Sequence, residues 1–249
     1  MRGICLSNLV YKYRAYDARA LEIIINRQLW LAEPSSLNDP FDCQVEYSQA
    51  FNHAISSLKI SDKAIVSFTE ASVGAMEKLR VLSLSKSDVN PLLWAHYADS
   101  HNGFCLGFNP QEMQGWHNPQ LRPQDVQYAN QLPVLKFPPH ILDSDFSDDP
   151  THIKELITTL DEFLHNVALT KPKEWSVEEE MRIVTKHPMQ GTSIKFLPRG
   201  LEEVTFGLNM SLDTQATIQS MFLAEHWHHV KFFKIKKSFG SFNLTKSPV

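Results

Sequence analysis

Trp175-Ser176-Val177-Glu178-Glu179-Glu180-Met181-Arg182-Ile183-Val184 sets how the rest of the chain is read. Three acids follow a tryptophan and run into apolar residues. With the period of two that a β-strand imposes, Glu178, Glu180 and Arg182 share one face, and Val177, Met181 and Ile183 share the other. A strand that buries its second face can present two carboxylates and a guanidinium to a cleft. Carboxylates at i and i+2 stand about 7 Å apart, which suits one ionised group beside one tuned neighbour. The plainer alternative is a solvated strand entrance where Arg182 pairs an acid, since strand acids are usually exposed.

The 249 residues are 43% hydrophobic and 21% charged, enough apolar content for a sizeable core. A net charge of −4 supplies no global field for nucleic acid, although local patches remain open. Cys5, Cys43 and Cys105 are odd in number and widely spaced. They fit neither a disulfide framework nor a zinc motif and imply a reducing compartment. Ser7, Asn8, Lys12 and Arg14 interrupt the N-terminal stretch, unlike a signal peptide, and no apolar run approaches the roughly 20 residues that span a bilayer. The expectation is a cytoplasmic protein without a membrane partner.

Periodicity predicts an α+β chain forming one domain over residues 1–249, with central mixed or antiparallel sheets and flanking helices. A first strand falls at 8–14, carrying Tyr11, Tyr13, Lys12 and Arg14. Asp17 caps a helix to about 26, and a second strand spans 29–32. Asn38-Asp39-Pro40-Phe41-Asp42 is a tight turn whose aspartates fix its conformation and whose Phe41 anchors it, so Asn38, Asp39 and Phe41 can shape a pocket wall. A helix over 47–59, a strand over 64–68, a helical turn over 73–78 and a strand over 81–85 follow. Asn90 or Asp88 caps a helix that begins at Pro91 and ends near Gly103, a residue suited to a left-handed cap. Strand 104–108 completes a strand–helix–strand unit that puts Trp94, His96 and Tyr97 close to the sheet. His96 reads either as a satisfied polar residue or as a contributor to the pocket.

Further on, a short strand is predicted at 125–128 and a solvated acidic run at 143–149. The three-and-four spacing of Ile153, Leu156, Ile157, Leu160, Leu164 and Val167 gives the clearest helix, over 151–170. Strands at 193–197 and 201–207, a helix over 212–224 with Asp213 as its cap or first-turn acid, and a strand at 231–236 close the chain. Glu225-His226-Trp227-His228-His229 contains good metal ligands at a spacing that fits no zinc pattern, and no metal site is predicted. The Lys and Phe alternation at 231–236 reads either as a basic stripe with stacking aromatics or as a strand with one buried face. No Gly-rich phosphate loop and no nucleophile elbow is present.

Several segments together resemble the bacterial family of domain of unknown function 2971. They are Tyr11-Lys12-Tyr13-Arg14, Leu29-Trp30-Leu31 with Asn38-Asp39-Pro40-Phe41-Asp42, Leu93-Trp94-Ala95-His96-Tyr97-Ala98 with Gly103, Trp175-x-x-Glu178-x-Glu180-x-Arg182, and Phe206-Gly207. The resemblance runs from about residue 9 to 233. The layout is also similar to ADP-ribosyltransferase-like folds, which carry an early Arg or His, a central aromatic and a late Glu-x-Glu.

That similarity implies a NAD-using enzyme of bacterial toxin, effector or phage-defence type, with NAD as a substrate. Arg14, Glu180 and the accessory Glu178 take the catalytic places, although His-x-Thr and Ser-Thr-Ser elements are missing. A carboxylate can stabilise the oxocarbenium-like cation formed when the nicotinamide–ribose bond breaks. Arg14 can grip pyrophosphate, Trp94 or Tyr97 can stack on nicotinamide, and Tyr13 and Arg182 join them as dinucleotide contacts. A protein or nucleic acid would be the acceptor. Two other readings remain: a nuclease with Asp39, Asp42, Glu178 and Glu180 gathering a divalent metal, and a non-catalytic module for a small anionic ligand.

Overall fold

The β-branched and aromatic residues of Val10–Arg14 (β1) occupy the middle of an eight-stranded sheet rather than its edge. In the computed structural model, which describes residues 9–43, 53–58, 62–113, 121–143, 150–186 and 193–249, the further strands follow in chain order. They are Gln28–Trp30 (β2), Leu79–Ser85 (β3), Phe104–Phe108 (β4), Gln124–Asp125 (β5), Gln127–Ala129 (β6), Thr170–Pro172 (β7) and Glu180–Lys186 (β8). Ser193–Lys195 (β9), Leu201–Phe206 (β10), Lys231–Lys237 (β11) and Leu244–Pro248 (β12) complete the set. The large sheet runs β12-β11-β10-β4-β1-β3-β8-β5; it is antiparallel except where β10 pairs β11 in parallel. Two small ribbons, β2–β9 and β6–β7, flank it.

The helices that accompany these strands include Ala18–Asn26 (α1), Asp62–Glu77 (α2), Pro91–Tyr97 (α3), Pro139–Asp143 (α4), Pro150–Ala168 (α5) and Leu212–Ser220 (α6). Together they give the α+β domain expected from the sequence, with a mixed sheet and flanking helices. Asp17 caps α1 by accepting from the Ala20 amide, and Asn90 caps α3 by accepting from Leu92 and Leu93. Side-chain alternation divides the core. Val10 with Phe104, Leu106 and Phe108 packs on α1 and α6, whereas Tyr11, Tyr13 and Cys105 pack on α3 through Leu93 and Trp94. A third cluster joins Val81 and Val184 to α5.

Several expectations need correction. The run 64–68, read as a strand from its Ile-Val-Phe content, lies inside α2, where helical context overrides β-propensity. Ser211 caps α6, which stops at Ser220, and Asp213 stands in its first turn, the second of the two places expected for it. Gly103 is not the left-handed cap: Asp99, Ser100 and His101 take positive φ of 46°, 50° and 70°. What requires glycine at 103 is space, because a Cβ there would sit 2.1 Å from the Arg14 carbonyl oxygen. Of the expected helix over 47–59, residues 53–56 are helical and 47–52 lie outside the described residues, as do residues 144–149 of the acidic run and Cys5. Cys43 and Cys105 are free and buried.

The feature that creates a site is a split in the sheet. β1 pairs β4 along five positions, from Val10↔Phe108 to Arg14↔Phe104, yet meets β3 at the single position Tyr11↔Ser85. Beyond it the β3 backbone is satisfied in other ways. Ala32 forms an isolated bridge with Val81, and the Lys12 ammonium donates to the Ser83 carbonyl at 2.8 Å.

Candidate functional site

A cleft of about 980 Å³ occupies this split. Lys12, Tyr13 and Arg14 line it from β1, Arg19 and Glu22 from α1, and Trp30 with Asn38 from the β2 end and the turn beyond it. Ser83 and Ser85 of β3, Tyr97 of α3, and Lys171, Glu178, Glu180 and Arg182 complete the wall. The early cations and the late acids of the sequence therefore share one cavity.

The opening stretch reaches the cleft by a route that differs from the expected strand. Lys173–Glu178 forms a 3₁₀ turn, Glu179 takes a left-handed φ of 45°, and only then does β8 start at Glu180. The reversal at Glu179 brings Glu178 back beside Glu180, while Val177, expected to be buried, is 48% exposed. Ser85 supports the turn by donating to the Glu178 carbonyl at 2.8 Å, and the Tyr128 hydroxyl accepts the Glu180 amide at 2.8 Å.

Arg182 is completely buried. Its Nη1 donates to Asp42 Oδ1 at 2.6 Å and to the Ala168 carbonyl at 2.8 Å, while Nε donates to Glu180 Oε1 at 2.7 Å and Nη2 to Glu180 Oε2 at 3.0 Å. Burial opposes its charge, but Glu180 and Asp42 hold it protonated, far above even the usual guanidinium range. Lys171 lies beside it, donating to Glu178 Oε2 at 2.6 Å and Glu180 Oε2 at 3.2 Å, with its ammonium 4.8 Å from the centre of the Trp175 ring. Burial alone would raise the Glu180 carboxyl; Arg182 and Lys171 hold it below the ordinary range instead. Tyr97 donates to Glu178 Oε1 at 2.8 Å and accepts from Asn38 at 3.1 Å. Burial and the Glu178 carboxylate push its phenol up, so it remains a donor.

On the opposite wall, Lys12 is half-buried, and burial together with the Arg14 charge lowers its ammonium to about 8. Arg14 pairs loosely with Asp17 at 3.6 Å, and its Nε is buried without a hydrogen-bond partner. Trp30, 44% exposed, gives this side an open aromatic surface.

Of the residues singled out in the sequence, Arg14, Tyr13, Tyr97, Glu178, Glu180, Arg182 and Asn38 line the cleft. Trp94 does not; it is fully buried, donates its indole N–H to the Asp88 carbonyl at 2.7 Å and packs edge-on to Tyr13. Tyr97, the other aromatic named with it, and Trp30 do line the cleft. Arg182 has its fork engaged by Asp42 and Glu180, so it holds the site together rather than offering a free hand. Asp39 accepts the Phe41 amide as a turn residue, and Phe41 and His96 are exposed, outside the cleft lining.

Lys171, Lys12 and Trp30 were missed. Lys171 sits in a Lys-Pro-Lys run that reads as a polar connection, and nothing local signals its burial. Lys12 had a signal, its alternation with Tyr11 and Tyr13.

The remaining motifs resolve structurally. Phe232 stacks on Phe206, Phe233 lies under the Lys246 ammonium, and β11 is a paired strand, so those rings are not a free stacking surface. In the 225–229 run, Trp227 is buried while His228 and His229 bond the Leu223 and Leu201 carbonyls. Among the described residues no group of three or more His, Cys, Asp or Glu side chains could hold a metal ion, and no helix is long and apolar enough to cross a membrane.

No curated protein and no solved structure matches the chain. A family match covers the segment that supplies Tyr97, Lys171, Glu178, Glu180 and Arg182. Over residues 93–183 the chain matches the family described as protein of unknown function, DUF2971, which bears out the resemblance read from the sequence over that stretch.

Proposed function

We propose that the cleft binds a dinucleotide such as NAD and that the protein is an ADP-ribosyltransferase-like enzyme acting on the nicotinamide–ribose bond. The observation that carries this reading is the sharing of one 980 Å³ cleft by Arg14, Trp30 and Glu178. Arg14 and Arg19 suit the pyrophosphate, and Trp30 suits a flat base or the nicotinamide ring. Glu178 takes the role that the sequence assigned first to Glu180. Each Glu178 oxygen has one partner, whereas Glu180 accepts two bonds from Arg182 and one from Lys171. A carboxylate with lone pairs to spare can hold a ribose hydroxyl and face the developing cation. In that step nicotinamide leaves with the bonding electron pair, and an acceptor nucleophile closes on the ribose C1′ carbon.

Incubation with NAD, with nicotinamide release followed by chromatography, tests the reading. Glu178→Gln should cut release by roughly a hundredfold while dinucleotide affinity stays within about threefold. Arg14→Ala should weaken affinity about tenfold. Absence of both binding and release at millimolar NAD would remove the reading. A second reading, a binding module for an anionic ligand, draws on the engagement of all three carboxylates by Arg182 or Lys171. Binding without release would select it.

A further inference from the structure

We propose that Lys12 is a reactive amine that condenses with the carbonyl carbon of a small anionic aldehyde or ketone held in the cleft, Arg14 and Arg19 receiving its anion. The position is built for this. Lys12 projects from β1 where that strand parts from β3, and it lines the cavity. The hydrogen bond its ammonium makes to the Ser83 carbonyl positions the nitrogen without neutralising it. Among the described residues no carboxylate forms an ion pair with it, in contrast to Lys171, which touches both Glu178 and Glu180.

The charges around it act in two directions. Arg14 on its own strand disfavours the ammonium and Glu180 from β8 favours it, while Cys105 of β4, its thiol pushed up by burial, stays uncharged. Glu180 is already held by Arg182 and Lys171, so its pull is largely answered. Burial decides the balance and leaves the amine near 8, where a useful fraction is free base at neutral pH. A desolvated lysine beside another cation is a recognised route to an amine nucleophile.

The step balances without an oxidant. The free amine attacks the carbonyl carbon, a C–N bond forms, and the carbonyl π pair moves to oxygen, which takes up the nitrogen's proton. The carbinolamine then loses its hydroxyl and the remaining N–H proton as water, leaving a C=N bond to Lys12. NAD turnover is not required.

Labelling the native protein with pyridoxal 5′-phosphate, an anionic aldehyde, trapping with borohydride and mapping peptides by mass spectrometry tests the proposal. Lys12 should be modified about tenfold faster than the exposed Lys231 and Lys236 at pH 7.5, with a midpoint near 8 rather than near 10.4. Arg14→Ala should slow labelling by the phosphate aldehyde several-fold more than labelling by uncharged pyridoxal, which loses only the help of the Arg14 charge in keeping the amine free. Modification of Lys12 no faster than the two surface lysines overturns the proposal, and equal rates with both aldehydes overturn its anion subsite. Because labelling does not depend on nicotinamide release, failure here and failure of the NAD reading are separable.

Discussion

Asp42 and Arg182, 140 residues apart in the chain, meet in a two-pronged ion pair inside the protein, both of them buried. The pair ties the Asn-Asp-Pro-Phe-Asp turn to β8 and so fixes one wall of the cleft. Such a contact is costly to break from one side, because the partner is left charged in a medium of low polarity. Asp42→Ala should therefore lower unfolding free energy by about 3–5 kcal/mol. Chemical denaturation of the single variants and of an Asp42→Leu, Arg182→Met double variant measures the coupling. A double variant no worse than either single one is expected, whereas simple addition of the two losses would show that the groups act independently.

Glu180 gives the acid side of the stability profile. Its folded carboxyl is held below the ordinary value by Arg182 and Lys171 despite burial. Its stabilising contribution is therefore complete above the unfolded value of about 4.3 and lost as pH falls through the folded one. Thermal melts of wild type and Glu180→Gln should differ most near neutrality and converge in acid. Curves that stay parallel down to strongly acid pH would remove this account.

Lys12 predicts the opposite limb. Its folded ammonium lies near 8, below the unfolded value, so between about 8 and 10.4 the unfolded chain binds more protons than the folded one. Over that window the lysine's penalty on folding fades as pH rises. The wild type should gain stability relative to Lys12→Met between pH 7.5 and pH 10. A difference in melting temperature that is constant across this range would show the amine to be solvated.

Most of the scaffold was legible because its signals are local and periodic: the stripe of α5, the Asp17 and Asn90 caps, the alternation in β1 and β11. The site was legible in part: Arg14, Tyr13, Asn38, Tyr97, Glu178, Glu180 and Arg182 do line the cleft, but Lys12, Trp30 and Lys171 went unassigned. Glu178 and Glu180 do share a cleft, but through a left-handed Glu179 and a 3₁₀ turn, not through strand alternation. A positive φ at a glutamate leaves no mark in sequence, since that conformation is signalled by Gly or Asn. Nor could Lys171 be found, because a buried lysine is defined by partners from distant segments. Trp94 was assigned to the ligand because helix periodicity alone does not say which tryptophan faces a cavity and which faces the core.

The two glycines of the resemblance, Gly103 and Gly207, have a joint role that yields the last prediction. The Gly207 amide donates to the Gly103 carbonyl at 2.9 Å, and a Cβ on Gly207 would stand 2.2 Å from the His101 carbonyl oxygen. A Cβ on Gly103 would strike the Arg14 carbonyl oxygen at 2.1 Å and the Ala98 backbone at 3.0 Å. All of these obstacles are backbone atoms, so neither collision can be relieved by turning a side chain. Gly103→Ala must therefore move the β1 end that carries Arg14 or the α3 end that carries Tyr97, both of which line the cleft. The expected loss is about 3 kcal/mol or more, read by denaturant unfolding. Whatever folded protein remains should bind NAD, the dinucleotide proposed for the cleft, more weakly than wild type. Gly74→Ala serves as the control, because a Cβ there meets nothing within 4 Å and α2 tolerates alanine better than glycine. Equal stability of the two variants would mean that the close approach at β1 relaxes freely, and the link between this glycine pair and the position of Arg14 would be lost.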